Sequence, residues 1–388
     1  MTDTAKRPEW VPENGGTEFA SRVMPGVAAE YEGIAVQVSD DPRRQQPKAA
    51  PVPRRKQLSV EEYVAGVLSK DRTILARTIT LVESNLYEHL LIAQNVIKQL
   101  LPHAGKSIRI GITGVPGVGK STFIEAFGCY LCDQGYQVAV LAVDPSSSVT
   151  RGSILGDKTR MENLARRPAC FIRPSPSGGT LGGVTRKSRE TMIVCEAAGF
   201  DVLLVETVGV GQNEVTVRSM VDFMLLLMIA GAGDELQGIK KGIMELADAL
   251  LINKADGDNI IKAQAARMEY EQALHYLAPA TKGWATHAYT CSSLTGDGIP
   301  EIWHVIEDFC RTTKESGMFQ SRRQSQVRDW LHVMVEEELK ARFYQHPNVL
   351  YVLPTLEKAV IEGKMPVTTA AKELLKWFDS NTGIIEHF

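Results

Sequence analysis

A nine-residue segment of this chain has the residue types and spacing of a loop that binds phosphates. Residues 114–122, GVPGVGKST, match the pattern G-x-x-x-x-G-K-[S/T] at every fixed position. The glycines let backbone N–H groups turn toward phosphate oxygens, Lys120 is placed to reach the β- and γ-phosphates, and the Ser121 hydroxyl can bind Mg²⁺. A strand pattern at 108–113 and a helical pattern at 122–131 flank the loop, so a nucleoside triphosphate site at a helix N-terminus is predicted. The predicted phosphate-binding residues are Gly114, Val115, Pro116, Gly117, Val118, Gly119, Lys120, Ser121 and Thr122.

Two acidic residues beyond the next predicted strand indicate a magnesium site. Asp144 directly follows the apolar run 137–143, and a carboxylate at the end of such a strand can hold Mg²⁺ directly or through its water. The segment 146–161 is rich in small polar residues and predicts a switch that closes over the γ-phosphate. Asp157, within this segment, is a candidate for binding Mg²⁺ or for placing the attacking water. The alternatives are a turn or helix-cap acid at Asp144 and an exposed loop acid at Asp157.

The sequence ETVG has the form of a γ-phosphate sensor. Glu206 directly follows the predicted strand 201–205, and Gly209 lies three residues further along the chain. In phosphate-loop enzymes an acid at this point handles Mg²⁺ or water, and the glycine N–H contacts the phosphate. Glu206 is therefore a predicted catalytic residue and Mg²⁺ ligand, with glutamate where aspartate is usual.

The pattern N-K-x-D after a further predicted strand indicates recognition of guanine. Asn253, Lys254 and Asp256 follow the apolar run 249–252. The Asp256 carboxylate can accept two hydrogen bonds from the guanine N1–H and amino group, a pair that adenine lacks, so the mismatch leaves a desolvated carboxylate unpaired. The Lys254 stem can lie over the purine, and Asn253 can tie loops together. A second loop on the base is predicted at Ser292, Ser293 and Leu294.

A further segment, GAGDELQGIKKG at 231–242, is dense in glycine and charge and predicts a third mobile element. It contains Lys240 and Lys241, and a solvated glycine-rich loop is the alternative interpretation. No sequence pattern identifies an arginine that would neutralise the charge of the phosphates. The open candidates are Arg151, Arg160 and Arg186.

The elements that must position these residues alternate between strand and helix from residue 108 onward. Most of the strand patterns are continuous apolar runs, as in a parallel sheet that is covered on both faces. The sequence therefore predicts a doubly wound, mostly parallel α/β fold, with helices before the sheet and a C-terminal helical arm. The predicted strands are 108–113, 137–143, 169–173, 201–205, 222–229, 249–252 and 287–291, and the predicted C-terminal helices are 320–345, 354–362 and 367–379.

The regions outside the sheet differ in composition. Seven of the 18 prolines precede residue 54, which favours a disordered tail or linker over 1–57. Ser59 and Glu62 form a capping-box pattern that opens a helical segment over 58–104. The nucleotide domain is predicted at 105–315 and a C-terminal arm at 316–388, either for docking or dimerisation or as an ordinary helical cap.

Charge and hydropathy limit which classes of partner and which cellular location are expected for this chain. The 388 residues carry a net charge of −3 with both signs mixed, which argues against a nucleic-acid-coating surface and gives no membrane cue. The apolar run 224–232 is too short to span a bilayer, and the first residues have no apolar core of a secretory signal. We therefore expect a cytoplasmic protein without nucleic-acid or membrane partners.

Several strings, in this order and spacing, resemble one family. They are GVPGVGKST, DPSSSVTRGSILGDKTRM, RPSPSGGTLGGV, ETVGVGQNE, GAGDELQGIKKG and NKADGDN. Over about 58–388 the chain resembles the methylmalonyl-CoA mutase-associated GTPases, a metallochaperone-like (SIMIBI-class) branch of the phosphate-loop GTPases. The glutamate of ETVG is typical of this branch. The chain lacks the C-x-C-C motif and histidine-rich tracts of related metal-insertion GTPases, which puts metal delivery in doubt.

The resemblance implies a homodimeric GTPase chaperone for an adenosylcobalamin-dependent acyl-CoA mutase, which gates cofactor loading and protects the mutase. It implies GTP/GDP and Mg²⁺ as ligands, segment 231–242 as a switch that senses the mutase, and the C-terminal helices as the dimerisation arm. Lys240 or Lys241 is predicted to move toward the phosphates when the mutase binds. The alternatives are a metal-insertion GTPase and a phosphate-loop kinase or transport-coupled ATPase. The implied catalytic residues are Lys120, Asp157, Glu206 and Lys240, and the implied Mg²⁺ site comprises Ser121, Asp144, Asp157 and Glu206.

Overall fold

Seven strands form one sheet in the part of the chain that the structure describes. The structure, a computed structural model, describes residues 57–143, 161–174, 181–207, 213–231 and 242–380. The strands are β1 (Ile108–Gly114), β2 (Val138–Val143), β3 (Cys170–Arg173), β4 (Val202–Thr207), β5 (Phe223–Ile229), β6 (Ala249–Asn253) and β7 (His287–Thr290). Their order is β3-β2-β4-β1-β5-β6-β7, and every neighbouring pair is parallel. Because β1 lies between β4 and β5, its carboxyl end meets the carboxyl ends of both.

The described helices precede, separate and follow these strands. They are α1 (Val60–Leu68), α2 (Arg72–Glu83), α3 (Tyr87–Leu100), α4 (Lys120–Asp133), α5 (Glu162–Ala165), α6 (Leu181–Ala197), α7 (Asn213–Arg218), α8 (Ile260–His275), α9 (Ile299–Glu315), α10 (Met318–Tyr344), α11 (Pro347–Ile361) and α12 (Val367–Asp379). The predicted capping box opens α1: the Ser59 backbone N–H donates to Glu62 Oε2 at 2.7 Å, and the Glu62 N–H donates to Ser59 Oγ at 3.2 Å.

Both faces of the sheet are covered, which explains why the strands are apolar on both sides. On one face, Ile112 of β1 packs in a buried cluster with Phe127 of α4 and Ile306 of α9. On the other face, Leu203 of β4 packs with the helices α1, α2, α3 and α6 in a second cluster that includes Ile79. A third cluster buries the β5–β6 part of the sheet against α8. The predicted doubly wound parallel fold is therefore confirmed.

Each predicted strand is present, but some element ends differ. Strand β4 extends through Glu206 and Thr207, because these residues continue its pairing with Ala142 and Val143 of β2. Helix α11 begins at Pro347 and not at residue 354, and Pro354 lies inside it. None of the described helices is long and apolar enough to cross a membrane.

The first turns of α10 are fixed to the amino-terminal edge of the sheet by ion pairs. Arg323 donates two hydrogen bonds of 2.7 Å to the carboxylate of Asp222, which is 1% exposed. The same carboxylate accepts a 2.8 Å hydrogen bond from the backbone N–H of Arg109 in β1. Residues Leu58–Phe388 form one unit, and the predicted boundaries within it, after 104 and after 315, stay predictions.

Candidate nucleotide-binding site

The loop between β1 and α4 has backbone geometry that requires glycine at two positions. Gly114, at the end of β1, has φ +153°, and a Cβ there would lie 2.4 Å from the Leu227 carbonyl oxygen of β5. Gly119, which precedes α4, has φ +92°, and a Cβ there would lie 3.0 Å from Asn253 Nδ2. The loop is therefore held closely against the ends of β5 and β6, directly before the N-terminus of α4, where an anion such as phosphate would bind.

Lys120 is the first residue of α4, and its side chain folds back over the loop. Its Nζ donates to the Gly114 carbonyl oxygen at 2.9 Å. Burial lowers the pKa of Lys120, whereas the charges of Glu206 and Glu214 raise it. These two carboxylates thus favour the ammonium form, which is the form that neutralises phosphate oxygens.

Ser121 and Glu206 bring a hydroxyl and a carboxylate together at the start of α4 and the end of β4. Ser121 Oγ donates to Glu206 Oε1 at 3.3 Å, and Glu206 is 6% exposed. Hard oxygen donors of this kind are the protein ligands that Mg²⁺ prefers. The donor set therefore fits the predicted ion, and Ser121 and Glu206 are the described residues that would hold it.

Asn253 joins the phosphate loop to the second predicted base loop. The side chain is 1% exposed, and its Nδ2 donates to the Val118 carbonyl oxygen at 2.9 Å. Its Oδ1 accepts from the Ser293 backbone N–H at 3.2 Å and from Ser293 Oγ at 2.7 Å. The two loops are thus fixed relative to each other by one buried amide.

Lys254 and Asp256 follow this amide in the chain, and each is hydrogen-bonded to one of the two loops. Lys254 has φ +60°, and its Nζ donates to the Gly117 carbonyl oxygen at 2.9 Å, so its stem crosses above the phosphate loop. Ser292 Oγ donates to Asp256 Oδ2 at 2.6 Å and also accepts from the Leu294 backbone N–H at 3.3 Å. The half-buried Asp256 carboxylate is thereby oriented by the second loop.

A comparison with protein-family models decides the family. Residues 75–348 match the model described as "Methylmalonyl Co-A mutase-associated GTPase MeaB". The chain belongs to the MeaB family of mutase-associated GTPases. It is therefore a GTP-binding enzyme that hydrolyses GTP, of a family associated with methylmalonyl-CoA mutase.

Relatives of this mutase-associated GTPase cover most of its length. A "Putative GTPase" of Caulobacter vibrioides is 51% identical over 321 residues, which are 83% of this chain and 98% of that protein. The mouse "Methylmalonic aciduria type A homolog, mitochondrial" is 42% identical over 336 residues, 84% of this chain and 81% of that protein. A crystal structure titled "LAO/AO transport system kinase" is similar with a TM-score of 0.68 and 39% identity, covering 84% of this chain and all of that one.

Several predicted site residues of the mutase-associated GTPase lie outside the described residues. They are Asp144, Asp157, Gly209 and Lys240, together with Lys241, Arg151 and Arg160. Among the described candidates, the structure brings Lys120, Ser121 and Glu206 together on the phosphate side. Arg186, the remaining arginine candidate, forms a 3.2 Å ion pair with Glu190 on its own helix α6.

No sequence pattern assigns a role to two further groups next to the site. Glu214, in the first turn of α7, is 2% exposed, and its charge acts on Lys120. The buried hydroxyl of Thr207 donates to Thr113 Oγ1 at 2.9 Å and joins the carboxyl ends of β4 and β1. The string ETVGVGQNE contains Glu214, but its position on a helix beside Lys120 is a tertiary property that spacing does not show.

Proposed function

We propose that this GTPase uses its nucleotide state to gate the loading of adenosylcobalamin into an acyl-CoA mutase of the methylmalonyl-CoA mutase type, and to protect that mutase from inactivation. Membership of the mutase-associated family supports the choice of partner. The observation that carries the proposal is the buried Asn253 amide, which hydrogen-bonds both Val118 of the phosphate loop and Ser293 of the base-side loop. A nucleotide held between these loops would contact the protein through both its phosphates and its base.

In the proposed hydrolysis, water attacks the γ-phosphate in line while the protein positions the phosphates and neutralises their charge. Lys120 stabilises the charge that develops on the β- and γ-phosphate oxygens. Ser121 and Glu206 would hold the Mg²⁺ ion, and in the proposal Asp144 and Asp157 would contribute to the same ion or place the water. Bound Mg²⁺ would supply further charge neutralisation at the phosphates.

In the same proposal, Asp256 reads the guanine N1–H and amino group. The hydrogen bond from Ser292 to Asp256 fixes the carboxylate before the base arrives, which lowers the entropy lost on binding. The Ser293 and Leu294 backbone lies beside Asn253 and Ser292, and in the proposal it faces the opposite edge of the base.

We also propose that the protein is a homodimer through its C-terminal helices. Four apolar side chains on α10 are 49–61% exposed at steps of four residues and form an apolar stripe, as on a helix that packs against a partner. They are Val327, Leu331, Val335 and Leu339. We further propose that the protein is located in the cytoplasm.

The proposed function is tested by loading a cobalamin-dependent acyl-CoA mutase in vitro. Purified apo-mutase is mixed with this protein and adenosylcobalamin, and cofactor transfer is followed by absorbance with GTP, GDP or a non-hydrolysable GTP analogue. We expect the loading rate to differ at least about fivefold between the nucleotides, because nucleotide state sets the shape of the loops that the mutase contacts.

The control for this experiment is Lys120→Ala, which should abolish the nucleotide dependence, since it removes the principal phosphate-binding charge. Lys282→Ala, a substitution of an exposed lysine, should leave the dependence unchanged. Equal loading rates in all nucleotide states, with GTP hydrolysis intact, would refute the gating function but not the GTPase activity.

A further inference from the structure

The short helix α7 lies between the phosphate site and the C-terminal helix α10. Its first turn carries Glu214, which is 2% exposed and whose charge acts on Lys120. Its body packs on β1, since Val217 Cγ1 lies 3.0 Å from the point where a Cβ on Gly111 would stand. A displacement of α7 would therefore move a buried carboxylate whose charge acts on the phosphate-binding lysine.

Gln326 of α10 holds the other end of α7. Gln326 is 7% exposed, and its Nε2 donates to the Val221 carbonyl oxygen at 2.8 Å and to the Arg218 carbonyl oxygen at 3.3 Å. The Arg218 side chain pairs with the buried carboxylate of Asp248, through Nη2 to Oδ1 at 3.1 Å and also through Nη1. The backbone and the side chain at the end of α7 are thus both fixed.

Arg189 of α6 completes this attachment from a second element. Its Nη2 donates to Ser219, to the carbonyl oxygen at 2.6 Å and to Oγ at 3.0 Å, and its Nη1 donates to the Gln326 carbonyl oxygen at 3.2 Å. The guanidinium lies 5.4 Å from the ring centre of Trp330 on α10. One side chain therefore bridges α6, the end of α7 and α10.

We propose that Gln326 and Arg189 are positioning residues for GTP hydrolysis, which act by fixing α7 and thereby the buried Glu214 carboxylate in its first turn. Helix α7 has six residues and is about 9 Å long, so a shift at its end is transmitted to its first turn.

The test measures basal GTP hydrolysis by the full-length protein with Mg²⁺ and without any mutase, so it is independent of the proposed chaperone function. Gln326→Met keeps the side-chain length and removes the two donated hydrogen bonds. Arg189→Lys keeps the charge and removes the planar fork. We expect kcat to fall about tenfold in each variant while KM and the calorimetric GDP affinity stay within about twofold, because alignment is lost and binding is kept. Ser325→Ala, an exposed neighbour on α10, should retain wild-type kcat.

A double-mutant cycle separates positioning through Glu214 from a general structural role. Glu214→Gln should itself lower kcat, and adding Gln326→Met to it should lower kcat no further, because both act through the same carboxylate. If the kcat of the double variant fell by the product of the two single-variant factors, the proposal would be wrong. A kcat within twofold of wild type in both Gln326→Met and Arg189→Lys would also overturn it, as would a parallel loss of kcat, GDP affinity and thermal stability.

Discussion

At the scale of single residues, the proposed choice of guanine depends on the half-buried carboxylate of Asp256, which Ser292 orients. Asp256→Asn should weaken GTP binding about 100-fold, because the amide loses one acceptor and sets an N–H against the donors of guanine. The same substitution should favour xanthosine triphosphate, since the new N–H can donate to its extra carbonyl oxygen. Isothermal titration calorimetry with both nucleotides checks the reversal.

The matched control for this substitution lies two residues further along the chain. Asp258→Asn makes the same chemical change at an exposed position and should leave both affinities at wild-type values. Guanine recognition by Asp256 would be wrong if Asp256→Asn and Asp258→Asn bound GTP with equal affinity.

Some residues of the candidate site could be identified from the sequence, and others could not. Lys120, Ser121 and Asp256 belong to short linear patterns whose spacing carries their chemistry, so their types and positions could be named before the structure. Glu214 could not be assigned a role, because its approach to Lys120 depends on where α7 packs. The oxygen–oxygen contact of Thr113 with Thr207 joins positions 94 apart in the chain, and nothing local in the sequence indicates it.

At the scale of elements, the junction of β1 with the phosphate loop has no room for a side chain. Gly114→Ala would place a Cβ 2.4 Å from a backbone oxygen of β5, which cannot give way as a flexible side chain would. We expect an unfolding free energy lower by about 1–3 kcal/mol from this clash, in addition to the cost of the positive φ. Denaturant titration of the full chain measures it.

The control for the conformational cost of a positive φ is Gly135→Ala. Gly135 has φ +92° and nothing within 4 Å of an added Cβ, so it reports the conformational cost without a clash. If Gly114→Ala cost no more than Gly135→Ala, close packing of β1 against β5 would not be what fixes the loop.

Apolar runs located the strands well, because a strand buried on both faces has no polar alternation to obscure it. Element ends were harder to locate. Glu206 belongs to β4 through its pairing with β2, which is a tertiary contact. Helix α11 continues through Pro354, and its first turn is held by Asn348, whose Nδ2 donates to the carbonyl oxygens of Trp377 and Ser380. A proline inside a helical pattern predicts a boundary, and here tertiary packing overrides it.

At the scale of the whole molecule, α10 is both part of the sheet domain and an exposed arm. Its first turns are fixed at the sheet edge by the half-buried Arg323 and the buried Gln326, polar residues that carry no apolar periodicity. Sequence therefore predicted the helix but not its attachment. Beyond these turns, Leu331 and Leu339 are 61% and 58% exposed, which is unusual for side chains aligned on one helix face.

From this exposed stripe we predict that α10 forms the interface of the proposed dimer. Leu331→Glu should convert the proposed homodimer to a monomer, because a charge at the centre of the stripe would be desolvated in an apolar interface. Sedimentation velocity of the full chain over a range of concentrations measures the change. Lys340→Glu places the same glutamate side chain on the opposite, exposed side of α10 and should leave the dimer intact. A wild-type protein that is monomeric at tens of micromolar would exclude the dimer, and an unchanged dimer in Leu331→Glu would show that α10 does not form its interface.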